Sequence, residues 1–164
     1  MQRRNFLVLA PLPVLAACGF KLREAPDFVF RSIYVGSAEA STLGNEIKRS
    51  LAASGKVTVL PAAQINNAQV ILDVLQDQRE KVVVGLNASG QVREFQLRYR
   101  FRFKLRTQQG KELIPLSEIL QQRDISFNES AVLSKETEEA LLYRDMQGDI
   151  VQQLMRRLDA VKEL

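Results

Sequence analysis

Residues 95–106 of this chain alternate without interruption between apolar and polar side chains. Successive side chains of a β-strand point to opposite faces, so a period of two predicts a strand with one aromatic and aliphatic face. Like charges about 7 Å apart on the other face repel by about 0.6 kcal/mol in bulk water. The cations on that face therefore need cross-strand acids, salt water or an anionic partner. This cationic row consists of Arg98, Arg100, Arg102, Lys104 and Arg106.

The composition limits the chemistry available to the chain. Its 164 residues, 46% apolar and 26% charged, suit one globular domain with its own core. There is no histidine, and Cys18 is the only cysteine, so an internal disulfide, a Cys/His zinc site and the common catalytic triads are excluded. No familiar nucleotide-binding or metal-binding motif occurs. We therefore expect a protein that is not an enzyme and uses no cofactor.

The first 17 residues have the organisation of an export signal. Arg3 and Arg4 precede an apolar run over residues 6–15, which is too short to span a bilayer. The sequence Leu-Ala-Ala-Cys that follows resembles a bacterial lipobox, in which the cysteine becomes the acylated first residue. We expect a lipoprotein signal peptide over residues 1–17, lipid attachment at Cys18 and a tether over residues 18–27. A simple cut that leaves a free thiol, and export by either the Sec or the twin-arginine route, remain open alternatives.

The rest of the chain carries two helix patterns among several strand patterns. Apolar residues every four positions predict a helix over residues 38–54, with Ser37 as its N-cap and Gly55 after its end. A longer helix over residues 135–162 is predicted to begin at Ser134. Strands are predicted over residues 28–35, 56–60, 68–86, 95–106 and 112–128, with a bulge at 82–84 and a hairpin turn at 87–90.

This order predicts an α+β two-layer sandwich over residues 28–164. Two helices would pack on one face of a mostly antiparallel four-stranded sheet. They would cover the aromatic face and leave the cationic face open, which an antiparallel sheet tolerates. Uninterrupted alternation would also place Asp73, Asp77 and Arg79 on one face of their strand.

Two interpretations of the cationic row remain open. It is either a solvated face whose ion pairs contribute about 0–1 kcal/mol each, or a docking surface for an anionic partner. The second is favoured because the acids expected nearby are outnumbered by the cations of the row and its neighbours. The acids are Asp73, Asp77, Glu118 and Asp124, and the neighbouring cations are Arg79, Lys81, Arg93 and Arg123. Nucleic acid is not expected, because the aromatic side chains point away from the cations and the chain is predicted to be exported. A phosphorylated glycolipid or an acidic envelope protein fits better.

The predicted mature start, Cys-Gly-Phe-Lys-Leu-Arg at residues 18–23, resembles that of the LPS-assembly lipoprotein LptE family. Later landmarks resemble that family in the same order along the chain. They are Gly55 after a small-residue helix, a hairpin that leads into residues 92–97, Gly110 before the last strand, Arg123 followed by Phe127, and an acidic helix start at residues 134–138.

The resemblance implies an outer-membrane lipoprotein on the periplasmic side, and Gly19 is compatible with that sorting. Such a protein plugs and helps assemble the LptD β-barrel and assists insertion of lipopolysaccharide into the outer leaflet. Its partners would be the barrel, lipopolysaccharide and, through the acyl anchor, the membrane. Basic side chains would contact lipid phosphates or the partner: Arg93, Arg98, Arg100, Arg102, Lys104 and Lys135. The alternative is a lipoprotein adaptor or pilotin for another envelope secretion complex.

Overall fold

The computed structural model describes residues 26–128 and 132–164. The predicted signal peptide, Cys18 and most of the tether lie outside these residues. The described elements are, in chain order, β1 (Ser32–Gly36), α1 (Thr42–Ala53), β2 (Thr58–Leu60), a 3₁₀ helix (Ala62–Asn67), β3 (Val70–Leu86), β4 (Val92–Thr107), β5 (Glu112–Ser126) and α2 (Val132–Asp159).

The strands form one mixed sheet in the order β2-β1-β3-β4-β5. β1 runs parallel to both β2 and β3, whereas β3, β4 and β5 form an antiparallel meander. The predicted two-layer α+β class is confirmed, but the prediction of a four-stranded sheet is wrong, because the short strand predicted over residues 56–60 joins the sheet as a fifth. The difference arises because α1 is a crossover that returns the chain parallel to β1, which adds the three-residue β2 as an edge strand.

Both helices pack on the aromatic face of β4, as predicted. Every apolar residue of that face from Leu97 to Leu105 is at most 1% exposed. The same core cluster takes Leu43, Ile47 and Leu51 from α1, and Met146, Ile150, Leu154 and Leu158 from α2. The period of two in the strand and the spacing in the helices thus meet in one continuous core.

Two predicted helix starts are wrong by several residues. The N-cap of α1 is Ser41, whose Oγ accepts a hydrogen bond from the Gly44 N–H at 2.7 Å. Ser37 instead packs against the first turn, where a Cβ on Gly44 would lie 2.2 Å from its Oγ. In α2, Ser134 lies inside the helix rather than at its cap. Gly55 does follow the end of α1 with a φ of 69°, which a glycine adopts without strain.

The register of β3 shifts three times against β4, twice close to the hairpin. The shift between Val83 and Gly85 lies where an irregularity was predicted. The shift between Val74 and Gln76 was not predicted, and it leaves Leu75 as an extra residue in the strand. Because one inserted residue exchanges the two faces of the strand up to the next shift, Asp77 and the residues at alternate positions from it to Val83 turn towards the helices.

Candidate functional site

The face of the sheet opposite the helices carries a ladder of ion pairs. Four cations of β4 share two carboxylates, one from β3 and one from β5. Asp73 lies 2.8 Å from Arg106 Nε and 3.9 Å from Lys104 Nζ. Glu118 lies 3.0 Å from Arg100 Nη1 and 3.9 Å from Arg102 Nε.

The ladder does not neutralise its own cations. Two acids face four cations, so these six side chains keep two more positive than negative charges. The four cationic side chains are 29–42% exposed, so each pair adds at most about 1 kcal/mol to stability. The face is therefore held in a defined geometry while its charge remains available to a partner.

Arg98, the fifth cation of the row, has a different environment. Its Nε donates to Gln96 Oε1 at 2.8 Å, and Gln96 Nε2 donates to Asp124 Oδ1 at 3.0 Å. Asp124, predicted as a cross-strand ion-pair partner, is thus linked to Arg98 only through the side-chain amide of Gln96. Glu80 stands opposite Arg98 in the register, yet no carboxylate of the described residues lies within ion-pair distance of Arg98.

Arg79 is the most informative of the cations that the bulge in β3 turns to the helix side. Its guanidinium carbon lies 4.8 Å from the ring centre of Tyr99 and 5.3 Å from that of Tyr143. Its Nη2 donates to Gln147 Oε1 at 2.7 Å, and Gln147 is only 7% exposed. Placing Arg79 on the open face was wrong, because it forms part of the contact between β3 and α2.

The other cations of this helix side also pair with α2. Lys81 Nζ lies 2.6 Å from Glu139, and Arg123 Nη2 lies 2.8 Å from Asp149. The predicted acid Asp77 likewise leaves the open face, where it would have faced the row, and accepts a hydrogen bond from Ser41 Oγ at 2.6 Å. The excess of cations on the open face is therefore smaller than predicted, and it resides in the row itself.

The two tyrosines beside Arg79 resist ionisation. Burial raises the pKa of Tyr99, and the nearby Asp77 carboxylate raises it further. Burial, together with the charge of Glu139, also raises the pKa of Tyr143, whose hydroxyl donates to the Glu80 carbonyl at 2.7 Å. This cluster belongs to the core and is a structural contact rather than a catalytic one.

Lys135 and Arg93 lie at the hairpin end of the sheet and apart from the row. Lys135 Nζ donates to Ser126 Oγ at 3.0 Å and to Glu138 Oε2 at 2.8 Å. It also lines a small pocket between α2 and the sheet, with Phe95 among the other lining residues. Arg93 is exposed and lies at a register shift of β4 against β3, two residues before Phe95. The structure therefore divides the predicted site residues between the open face of the sheet and its hairpin end.

The hairpin end also exposes apolar side chains that the sequence analysis did not single out. The strand residues are Val83, Val84 and Leu86, at 46%, 47% and 61% exposure. Leu133, at the start of α2, is 81% exposed. The run of valines at 82–84 was noted only as an irregularity of the strand. Its apolar character, next to two cations, was the signal for an amphiphilic end.

The described residues form no cluster of three or more potential metal ligands. None of the described helices combines the length and the hydrophobicity that crossing a membrane requires. The site is a surface of charged and apolar side chains.

The fold matches several solved bacterial lipoproteins. The solution NMR structure of an uncharacterized lipoprotein B from Nitrosomonas europaea is 34% identical, with a TM-score of 0.74, and the match covers 87% of this chain and 91% of that one. A rare lipoprotein B from Shewanella oneidensis is 21% identical, with a TM-score of 0.64 and coverage of 77% and 92%. A minor lipoprotein from Acinetobacter baumannii is also 21% identical, with a TM-score of 0.64 and coverage of 82% and 94%. No curated protein matches the sequence.

A two-layer domain with helices on one face and an open cationic face, similar in fold to these lipoproteins, is of the envelope-lipoprotein class. The family model for LptE, described as lipopolysaccharide-assembly, matches residues 30–158. The chain belongs to the LptE family. The resemblance inferred from the sequence is thereby confirmed.

Proposed function

We propose that the chain is a lipid-anchored protein of the outer membrane that plugs and helps assemble an LptD-like β-barrel. In that position it assists the insertion of lipopolysaccharide into the outer leaflet. Membership of the lipopolysaccharide-assembly family supports the process, and the lipobox-like sequence that ends at Cys18 supports the anchor. The partner and the orientation are argued from the described residues.

The observation that carries the proposal is the open face of the sheet. It presents the row of five cations with only two carboxylates at ion-pair distance among the described residues. The interior of an outer-membrane barrel is polar, whereas its outer surface is apolar. A face of arginines and glutamines suits contact with such a wall, because its polar groups can form hydrogen bonds to polar groups of the wall.

On this proposal the hairpin lies far from the anchor. The Asp27 N–H bonds to Asp159 at the end of α2, and the Asp27 carboxylate pairs with Lys56 at 3.0 Å, so the described chain starts at this end. The nine residue-to-residue steps from Cys18 to Asp27 reach at most about 32 Å. At about 3.3 Å per residue, the 17 residues of β3 extend roughly 56 Å away from it. An anchored domain standing in a barrel therefore carries its hairpin far from the anchor.

The hairpin end has the chemistry of a site for a phosphorylated lipid. Arg93 and Lys135 supply cations for phosphate, and the exposed Val84, Leu86 and Leu133 supply apolar surface for acyl chains. On this proposal the lipid contacts the hairpin end, and the cationic row contacts the partner protein.

Recovery of the partner tests the proposal. The full chain with an affinity tag at its C-terminus is extracted from outer membranes in mild detergent, and co-purifying proteins are identified by mass spectrometry. We expect a large β-barrel at a one-to-one ratio, and depletion of the chain should reduce lipopolysaccharide at the cell surface. A chain recovered without any barrel contradicts the plug. Recovery with a secretion complex, and unchanged surface lipopolysaccharide on depletion, supports the adaptor or pilotin instead.

A further inference from the structure

The outer edge of β5 is a surface that the site described above does not use. β5 is the last strand of the sheet and is 15 residues long. The Phe127 N–H donates to the Arg93 carbonyl, so odd-numbered residues here bond to β4. The backbone groups of even-numbered residues from Glu118 to Ser126 therefore point outward. Such an edge is a template for pairing with another strand.

Side chains of the protein itself occupy part of this edge. Arg157 Nη2, from α2, donates to the Glu118 carbonyl at 3.2 Å. Arg123 Nη1 donates to the Gln122 carbonyl at 2.8 Å. Nearer the start of the strand, Ser117 Oγ donates to the carbonyl of Pro115, which has no N–H to offer a partner. Two of the outward acceptors, the carbonyls of Glu118 and Gln122, are thus already bonded.

The sequence of the edge is complementary to itself. If two copies pair antiparallel about Gln122, then Glu118 faces Ser126 and Leu120 faces Asp124 on the open side. On the helix side, Ile119 faces Ile125 and Gln121 faces Arg123. No two like charges are directly opposite, and the isoleucines meet as an apolar cross-strand pair. A two-fold pairing of this kind is closed, so it stops at the dimer.

We propose that the outer edge of β5 is a latent pairing surface for a second copy of this chain, and that Arg123 and Arg157 hold it closed. Pairing about Gln122 would bring together five pairs of outward residues. Glu118 would lie opposite Ser126 and Leu120 opposite Asp124, each twice because of the two-fold symmetry, and Gln122 would lie opposite Gln122. The Gln122 carbonyl belongs to the central pair, and the Glu118 carbonyl belongs to both outermost pairs. The two arginines therefore block three of the five pairs, and the chain stays monomeric at this edge.

The test compares the full chain in detergent with its Arg123→Gln/Arg157→Gln variant by sedimentation equilibrium. We expect the variant to dimerise with a dissociation constant at least tenfold lower than that of the native chain. A Gln122→Cys substitution in both backgrounds reports the geometry. Hydrogen-bonded antiparallel partners have Cα atoms about 5.5 Å apart, within disulfide range. Peptide mapping should find a link between two copies of residue 122 in the variant background only.

Controls separate loss of the caps from loss of stability. Asp149→Asn removes the ion pair of Arg123 with α2 but leaves its bond to the Gln122 carbonyl, so this variant should remain monomeric. Arg144→Gln/Arg156→Gln removes two exposed arginines of α2 and should also remain monomeric. Circular dichroism verifies that each variant is folded. A folded double cap variant that stays monomeric, or one that dimerises without the residue 122 link, overturns the proposal.

Discussion

The two faces of β4 carry equally regular patterns but have opposite environments. From Leu97 to Leu105 the apolar face is at most 1% exposed and lies under two helices. The cations on the other face lie beneath no described element, and four of the five share two carboxylates. The apolar face therefore determines the fold, because both helices pack against it and bury it. The other face is held in position by the same strand while its charge remains free to serve a partner.

Arginines on the two sides of the sheet show why the side matters. Arg79, on the helix side, is packed between two tyrosine rings and bonds to a buried amide. Arg100, on the open side, shares a half-exposed carboxylate with a neighbour. The first is part of a packed contact, and the second is an exposed ion pair of small net value. The same residue type thus stabilises the fold on one side and provides a surface on the other.

The largest expected effect comes from the covered face. Phe101 is fully buried, and its ring stacks on Phe103 with centroids 5.3 Å apart. Because Phe101→Ala removes a large side chain and leaves a cavity, we expect it to lower the free energy of unfolding by about 3–5 kcal/mol. Urea denaturation followed by circular dichroism measures the change. The matched variant Arg102→Ala, one position along, should lower it by less than about 1 kcal/mol. Equal losses would contradict the division between the faces.

A smaller loss is expected at the arginine that the bulge turns over. Arg79→Met removes one of the hydrogen-bond donors to the buried Gln147 Oε1 and the cation between the two rings. We expect a loss of about 1–3 kcal/mol in the free energy of unfolding. Arg98→Met, the control on the open face, should change it by no more than about 0.5 kcal/mol. A double-mutant cycle with Gln147→Leu should show coupling, and additive losses would mean that the bond contributes nothing.

How far the sequence predicts this division depends on whether alternation is interrupted. In β4 it is not, and the faces of Leu97 to Leu105 follow correctly from the period of two. In β3 the extra residue Leu75 reverses the faces of Asp77 and Arg79, and nothing in a run of mixed polar and apolar residues marks that position. The place of β2 in the sheet and the start of α1 were missed for a similar reason. Several short segments have similar local propensities, and tertiary contacts determine which of them joins the sheet or begins the helix.

For the site, the sequence identifies the row but not its separation from Arg93 and Lys135. Residue spacing alone does not show that Lys135, on a helix, lies against Ser126 at the end of an edge strand. That contact is set by where α2 begins, and this boundary was predicted wrongly. The exposed apolar residues of the hairpin end were missed because an apolar run in a strand normally indicates burial.

On the open face, the expected effect is on binding. Arg98→Glu/Arg102→Glu should weaken association with the barrel more than tenfold, equivalent to about 1.4 kcal/mol, because it reverses two charges of the row. The folded domain should retain its stability within about 1 kcal/mol. Affinity is measured with the purified barrel at two salt concentrations. The matched control, Arg144→Glu/Arg156→Glu, reverses two exposed charges of α2. If the open-face variant melts early while each folded molecule binds normally, the row is a structural ladder.

The smallest expected effect is a difference between the two faces in how the free energy of unfolding depends on pH. Burial and the charge of Asp77 raise the pKa of Tyr99 in the folded state, whereas in the unfolded chain the phenol ionises near its ordinary value of about 10. The stabilisation from keeping this phenol neutral is therefore fully present below about pH 10 and is lost as the pH rises further. Tyr99→Phe should make the free energy of unfolding fall less steeply above that pH. Arg98→Met should not alter the slope, because a guanidinium stays charged in this range. Chemical denaturation at pH 8 to 11 measures both. An unchanged slope in Tyr99→Phe would mean that another group of the helix side, with Tyr143 the first candidate, governs the alkaline loss of stability.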